Sequence, residues 1–234
     1  MNTELETWLQ HRFNAASAAA GHLSAAGLRV SPALAAWEEE FFLRGIHERL
    51  FNVNAQGQVE SELVRYETEP GPPSRRYRVF SREPVRLLRE NLLQLAIAGR
   101  LIFERGWLKS HVILEPGRDE HRTSADQFDL LVKSPAGDIF IWVEARRSAV
   151  ELNKLIADLR ACSRRGPHAH VDCGFPQNHP RHEFCVAHRP SCLWAVAPDE
   201  EICFAVKCNA SAIELEPLPS LPPRSRFELD QKSG

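Results

Sequence analysis

Residues 129–146, DLLVKSPAGDIFIWVEAR, decide the fold, and they predict two strands joined by a tight turn. The apolar run from Asp129 to Lys133 is the first strand, and SPAGD is a cluster of turn formers. The β-branched and aromatic run from Ile139 to Ala145 is the second strand. Strand side chains alternate between the two faces of a sheet. This alternation predicts four side chains on one face of the second strand: Phe140, Trp142, Glu144 and Arg146.

This hairpin brings two acids and one cation together. A buried carboxylate is costly unless it is paired with a cation or holds a metal. Asp129 begins the first strand, so the hairpin can bring its carboxylate close to Glu144 and to the guanidinium of Arg146. Such a group at a sheet edge predicts a site for Mg²⁺ (or Mn²⁺) and for a phosphate. Asp126 is the alternative acid, and Asp129 is preferred because an apolar run follows it at once.

The same stretch resembles the PD-(D/E)XK, or restriction-endonuclease-like, nucleases. Their pattern is Asp, a spacer and Glu-x-Lys. Here it is represented by Asp129, fourteen intervening residues and Glu144-Ala145-Arg146, with Arg in place of Lys. The resemblance implies an α/β fold with an α-β-β-β-α-β core and makes residues 81–218 the nuclease-like domain. It also implies a metal-dependent nuclease that hydrolyses phosphodiester bonds of nucleic acid, with DNA as the expected substrate.

Two further residues enter the site through this resemblance. Nucleases of this fold often carry a metal-binding glutamate on the helix before the hairpin, and Glu90 matches it; the alternative is a surface acid paired with Arg86. Some carry the catalytic lysine on the following helix, which makes Lys154 a candidate. Its alternative is a solvated lysine paired with Asp158. The candidate catalytic residues are therefore Asp129, Glu144, Arg146, Glu90 and Lys154, with Asp129, Glu144 and Glu90 as metal ligands.

Arg146 limits the chemistry that this site can perform. A guanidinium does not deprotonate in proteins, so Arg146 cannot act as a general base. It can still bind a phosphate oxygen and stabilise charge in the transition state. The alternative function is therefore a catalytically degenerate nuclease-fold protein that binds nucleic acid or acts as a scaffold.

Residues 1–80 form an N-terminal helical and β-hairpin region outside the nuclease pattern. One helix is predicted from Thr3 to Ala20, a second begins at Ser31-Pro32, and a hairpin spans Phe51 to Glu67. A basic strand ends this region at Phe80, and basic residues interleaved with an aromatic can contact a phosphate backbone. The predicted nucleic-acid contacts are Arg75, Arg76, Arg78, Arg146 and Arg147. A solvated edge strand is the alternative for the first three.

The remaining elements follow from hydrophobic periodicity. Helices are predicted at Ser81–Gly106 and Ser148–Cys162, with Ser81 as an N-cap. Strands are predicted at Lys109–Glu115, Cys192–Val196, Ile202–Val206 and Ala212–Leu215. Residues 219–234 are rich in Pro, Ser and charge and are expected to be a disordered tail.

Cysteine and histidine crowd the segment from 162 to 192, which is predicted to be a loop. Loop-borne Cys and His can build a tetrahedral Zn²⁺ site. One possible set of ligands is Cys173, His182, Cys185 and His188. The alternative is ordinary loop histidines and buried cysteines.

Composition indicates an ordinary globular chain. The 234 residues are 43% hydrophobic and 26% charged, and the net charge of −2 means that any nucleic-acid-binding surface must be a local one. No apolar run reaches transmembrane length, and the N-terminus lacks signal-peptide order. We therefore expect a cytoplasmic protein with free thiols and no membrane partner. The N-terminal helices are the part of the chain that can pair two copies into a homodimer.

Overall fold

A computed structural model describes residues 3–21, 27–64, 77–116, 128–134, 136–164, 174–175, 179–209 and 212–225. Five α-helices lie in these ranges: α1 (Glu4–Ala19), α2 (Ala36–His47), α3 (Arg89–Phe103), α4 (Ala149–Arg164) and α5 (His179–His188). The strands are β1 (Asn52–Val53), β2 (Val59–Glu60), β3 (Val112–Leu114), β4 (Leu130–Lys133), β5 (Ile139–Ala145), β6 (Cys192–Ala197), β7 (Glu200–Asn209) and β8 (Ala212–Leu218). None of the described helices is long and apolar enough to span a membrane.

Six of the strands form one mixed sheet in the order β3-β4-β5-β6-β7-β8. Strands β5 and β6 are parallel, and every other neighbouring pair is antiparallel. A parallel pair needs a long crossover connection, and here α4 and α5 provide it. The predicted α/β class is therefore confirmed as a mixed α/β fold.

Helices cover both faces of this sheet, and each face has its own hydrophobic core. The first core joins the sheet to α1, α2 and α3, with Leu9, Phe42 and Val143 all fully buried. The second core joins the sheet to α4 and α5 and contains Trp142 and Phe184. Burying each such side chain contributes about 1.5–3 kcal/mol. Adjacent residues of β5 thus face opposite cores, as the predicted alternation requires.

Phe140 is an exception, and its predicted position on the face of Trp142 is wrong. Val132 pairs with Ile141, whereas the next residue, Lys133, pairs with Ile139. Phe140 is thus the extra residue of a β-bulge, which interrupts the alternation. Its ring packs in the first core against Trp107, with 6.0 Å between the ring centroids.

The first helix was predicted well because its start is set by a local capping motif. The backbone N–H of Glu6 donates to Thr3 Oγ1 over 3.2 Å, and the Thr3 N–H donates to the Glu6 side chain over 3.1 Å. This is a capping box. The second helix begins at Ala36, so the predicted start at Ser31-Pro32 is wrong. At the observed start, the Glu38 side chain accepts a hydrogen bond from the Ala35 N–H over 2.8 Å, and this contact fixes the beginning of the helix.

The third helix begins eight residues later than predicted, because Ser81 does not cap it. Phe80 forms a β-bridge with Leu87, and the Arg86 N–H donates to Ser81 Oγ over 3.1 Å. These contacts close a loop before α3, which begins at Arg89. The strand predicted at Lys109–Glu115 is shorter in the structure. Residues 109–111 form a 3₁₀ turn, so the strand begins only at Val112.

The N-terminal hairpin and the C-terminal strands also differ in length from the prediction. Strands β1 and β2 have two residues each, whereas β7 and β8 extend beyond their predicted ends. In the described part of the predicted tail, Leu221 is 3% exposed and lies in the first core. Arg224 Nη1 donates to the carbonyl of Gly106 over 3.1 Å. Residues 226–234 lie outside the described residues.

Candidate functional site

Arg146, immediately after β5, brings the three predicted acids together. Its Nη1 lies 3.2 Å from Asp129 Oδ2 and 3.5 Å from Glu90 Oε1, and its Nη2 lies 2.6 Å from Glu144 Oε2. Asp129 lies close to Glu144 and Arg146 because Leu130 pairs with Val143 in the antiparallel ladder. This pairing places the start of β4 beside the end of β5. Residues from α3, β4 and β5 therefore converge on one guanidinium.

Both carboxylate oxygens of Asp129 accept hydrogen bonds in the interior. Oδ2 accepts the backbone N–H of Ala145 at 2.6 Å, and Oδ1 accepts the side-chain N–H of Gln94 at 2.7 Å. The residue is 7% exposed. Burial and the neighbouring charge of Glu144 raise the pKa of Asp129 to about 7, against the opposing effect of Arg146. Its negative charge is thus only partly compensated.

Glu144 is fully buried and is held by two guanidiniums. Its Oε1 accepts from the Trp142 indole N–H at 2.8 Å and from Arg181 Nε at 2.7 Å, while Oε2 faces Arg146. Burial alone would raise the pKa of Glu144, but Arg181 and Arg146 outweigh it, so the pKa lies below its ordinary value. Glu144 is therefore an ionised carboxylate in the interior.

Glu115, just after β3, is an acid that the sequence did not indicate. Its backbone N–H donates to the carbonyl of Asp129 over 2.9 Å, and its φ of 48° lies in the left-handed region. Burial, followed by the charge of Asp129, raises the pKa of Glu115 to about 8. Burial also raises the pKa of Glu90, against the effect of Arg146 and Arg147. Unusual backbone geometry and raised carboxyl pKa values often mark functional sites.

Gln94 and Tyr77 support the site from the first core, and neither was predicted. Gln94 is 2% exposed, and its Oε1 and the Asn91 carbonyl, the latter at 2.8 Å, are two acceptors that share the single proton of the Tyr77 hydroxyl. Because the amide oxygen faces Tyr77, the amide nitrogen faces Asp129. Tyr77 lies 52 residues before Asp129, and pattern alone gives no sign that they are linked.

Lys154 and Arg147 lie outside this group of contacts. Lys154 Nζ is 2.6 Å from Asp158 on the same helix, and its side chain is 75% exposed, in agreement with the alternative interpretation. Arg147 is 57% exposed and pairs with Glu151 at 2.9 Å. Their catalytic and nucleic-acid-binding roles stay predictions.

The basic strand is described only from Tyr77 onward. Arg78 Nε donates to the carbonyl of Phe80 at 2.9 Å, and its Nη2 contacts the carbonyl of Gln56. These contacts tie the guanidinium to the N-terminal hairpin. Arg75 and Arg76 lie outside the described residues, so the predicted phosphate contacts of this strand stay a prediction.

The Cys/His segment contains a helix, so the predicted loop is wrong at residues 179–188. His182 and Cys185 are buried on α5, and the His188 ring lies 4.9 Å from that of Phe184. Cys173 lies outside the described residues, and the zinc set stays a prediction. Within the ranges that the structure describes, no group of three or more His, Cys, Asp or Glu side chains is arranged to hold a metal ion.

The donor chemistry and the charge of the site nevertheless fit a divalent cation. Arg146 contacts Glu90, Asp129 and Glu144, and Arg181 contacts Glu144. A fourth carboxylate, Glu115, lies near enough for the charge of Asp129 to act on it. When ionised, these four acids outnumber the two guanidiniums that contact the group. Carboxylate oxygens are the ligands that Mg²⁺ prefers. The pKa values of Asp129 and Glu115 are raised, so both carboxyl groups lose their protons less readily than usual. A cation bound beside them would favour their ionised form.

No known protein-family model matches this chain, and no curated protein or solved structure is significantly similar to it.

Proposed function

We propose that this protein is a divalent-metal-dependent nuclease that hydrolyses phosphodiester bonds of nucleic acid, with DNA as its expected substrate. The observation that carries the proposal is the convergence of Asp129, Glu144 and Glu90 on Arg146. The order of elements from α3 through β3, β4, β5 and α4 to β6 supports it, because it follows the order that the nuclease resemblance implies, with α5 added between α4 and β6. Fold alone does not define function, so the residues of the site carry the proposal.

Asp129, Glu144 and Glu90 are the residues that would hold Mg²⁺ or Mn²⁺. A cation bound there would supply positive charge and orient the groups that react. For the protein's part, Arg146 binds a non-bridging phosphate oxygen and stabilises the charge that develops on it. Burial lowers the pKa of Arg146, but the charges of Glu144 and Asp129 raise it by a larger amount. The pKa therefore lies above its ordinary value, and the guanidinium stays protonated.

The supporting contacts fix these carboxylates in place before any ligand arrives. Trp142 and Arg181 orient Glu144, and Gln94 with the Ala145 N–H orients Asp129. A site whose polar groups are already oriented pays less reorganisation energy when substrate binds. The geometry therefore supports catalysis at the edge of the sheet where β4 begins and β5 ends.

Cleavage assays on plasmid and single-stranded DNA, with Mg²⁺ or Mn²⁺, test the proposal. We expect metal-dependent cleavage by the wild type and its loss in Glu144→Ala. Glu216→Ala is the matched control, because it also removes a carboxylate but from an exposed pair with Lys207. Cleavage that survives in Glu144→Ala would show that the site is elsewhere.

A second function, binding of nucleic acid without cleavage, is favoured by one observation. Arg146 stands where the nuclease pattern has Lys, and its guanidinium is engaged by three carboxylates. A permanently protonated residue cannot accept a proton from water. Wild-type protein that binds DNA in Mg²⁺ and Mn²⁺ and cuts none of the substrates would support this second function against the first.

A further inference from the structure

Arg181 enters the site from α5, an element that the nuclease pattern does not anticipate. Its Nε lies 2.7 Å from Glu144 Oε1, and its side chain is 15% exposed. Arg146, on the other side of the same carboxylate, is also 15% exposed. Both arginine side chains thus bind a fully buried acid and are themselves partly exposed to solvent.

Helix α5 is anchored firmly enough to hold Arg181 in place. Phe184, one turn further along, is fully buried, with its ring 4.5 Å from that of Phe128 and 5.9 Å from that of Trp142. The indole N–H of Trp142 in turn donates to Glu144. The aromatic cluster that packs the helix therefore also orients the acid to which Arg181 binds. Side chains locked by such packing are suited to recognition.

The two oxygens of the Glu144 carboxylate bind one guanidinium each. Arg146 uses Nη2 to reach Oε2, and Arg181 uses Nε to reach Oε1. Guanidiniums bind phosphate as well as carboxylate, and a phosphate has several oxygens, so one phosphate can accept from both arginines that share Glu144. The two guanidiniums carry like charges that repel each other, so an anion that bridges them gains from both.

A purely structural role for Arg181 is the alternative. In that role it would only neutralise Glu144, and its loss would lower stability without a specific effect on ligand binding. Stability alone cannot separate the two roles, because both predict that removing the guanidinium is destabilising. Binding of a phosphate-bearing ligand separates them.

We infer that Arg181 and Arg146 together bind one phosphate group of a nucleic acid, and that α5 positions the bound nucleic acid at the site. The inference rests on the proposed function for its ligand. It adds a residue and a helix that the nuclease pattern does not supply.

Binding of fluorescein-labelled single-stranded and duplex oligonucleotides, followed by anisotropy over a range of salt concentrations with Ca²⁺ in place of Mg²⁺, tests this inference. We expect Arg181→Gln to weaken binding about tenfold and to lower the salt slope by about 0.9 on duplex, or 0.7 on a single strand, as one lost phosphate contact requires. Arg181→Lys keeps the charge, so its slope should match the wild type while its affinity falls severalfold.

Arg100→Gln is the matched control, since Arg100 is also 15% exposed and ion-paired, but with Glu104 and Glu201. Arg181→Gln with the affinity and slope of Arg100→Gln would overturn the inference and leave the proposed function standing. Wild-type protein that binds neither oligonucleotide would overturn both. If Arg181→Gln does not fold by circular dichroism, Arg181→Lys decides: unchanged affinity overturns the inference, and a severalfold loss supports it.

Discussion

Gln94 donates a side-chain hydrogen bond to Asp129 over 2.7 Å, although the two residues lie 35 positions apart. Both are buried. The contact joins α3 to the start of β4, and the hydroxyl group of Tyr77 sets the orientation of the amide. The position of the Asp129 carboxylate thus depends on the first core, which includes residues from before position 80.

Gln94→Leu should destabilise the protein by about 1–3 kcal/mol, because it leaves one oxygen of the buried Asp129 carboxylate and the Tyr77 hydroxyl without this partner. Urea unfolding followed by circular dichroism measures the change. Gln56→Leu is the control, since Gln56 is exposed and its substitution should change stability by at most about 0.5 kcal/mol. Equal effects of the two substitutions would show that the Gln94 contact does not matter.

Stability of the metal-free protein should fall as pH rises from about 5 to about 8. In the unfolded chain Asp129 and Glu115 titrate near 3.8 and 4.5, and in the folded protein near 7 and 8. The folded state therefore binds more protons across this window, and the free energy of unfolding decreases with pH, by roughly 1 kcal/mol or more. Glu144, whose pKa is lowered, acts in the opposite sense and loses its contribution below pH 4.5.

Asp129→Asn removes one of the two titrating groups, so its unfolding free energy should vary less with pH over the same window. Denaturant titrations at several pH values, with a chelator present, give both curves. If the unfolding free energy of the wild type instead rises from pH 5 to pH 8, the pKa values of these carboxyl groups are not raised in the folded protein.

The ion pair of Glu38 and Arg89 should be far more costly to break than an exposed pair. Its N–O distance is 2.6 Å, and the two side chains are 0% and 4% exposed. Removing one partner leaves an uncompensated buried charge, so Arg89→Met should cost about 3–5 kcal/mol. Lys154→Met removes an exposed helical pair and should cost about 0.3–0.5 kcal/mol. Thermal unfolding compares them, and similar melting temperatures would contradict the prediction.

Local patterns predicted the centre of the site because its residues are close in sequence. Alternation along β5 and the short turn before it were enough to bring Asp129, Glu144 and Arg146 together. The β-bulge at Phe140 was missed, since nothing in the local composition marks where a strand pair slips by one residue.

The surrounding residues could not be predicted, because they come from other elements. Arg181 reaches Glu144 across 37 positions, and Gln94 reaches Asp129 across 35. Glu115 was assigned to a strand, but the backbone turns into the left-handed region there and places the residue beside Asp129. Such contacts depend on how helices pack on the sheet, and periodicity gives only which face of each helix is apolar.

Anomalous diffraction from crystals soaked in Mn²⁺ shows whether a cation binds between Asp129 and Glu144. We predict one peak within coordination distance of carboxylate oxygens from both Asp129 and Glu144, with Arg146 moved away from at least one of them. Crystals of Asp129→Asn should lose the peak. Wild-type crystals that show no peak at these carboxylates, with Arg146 still bridging them, would contradict the account.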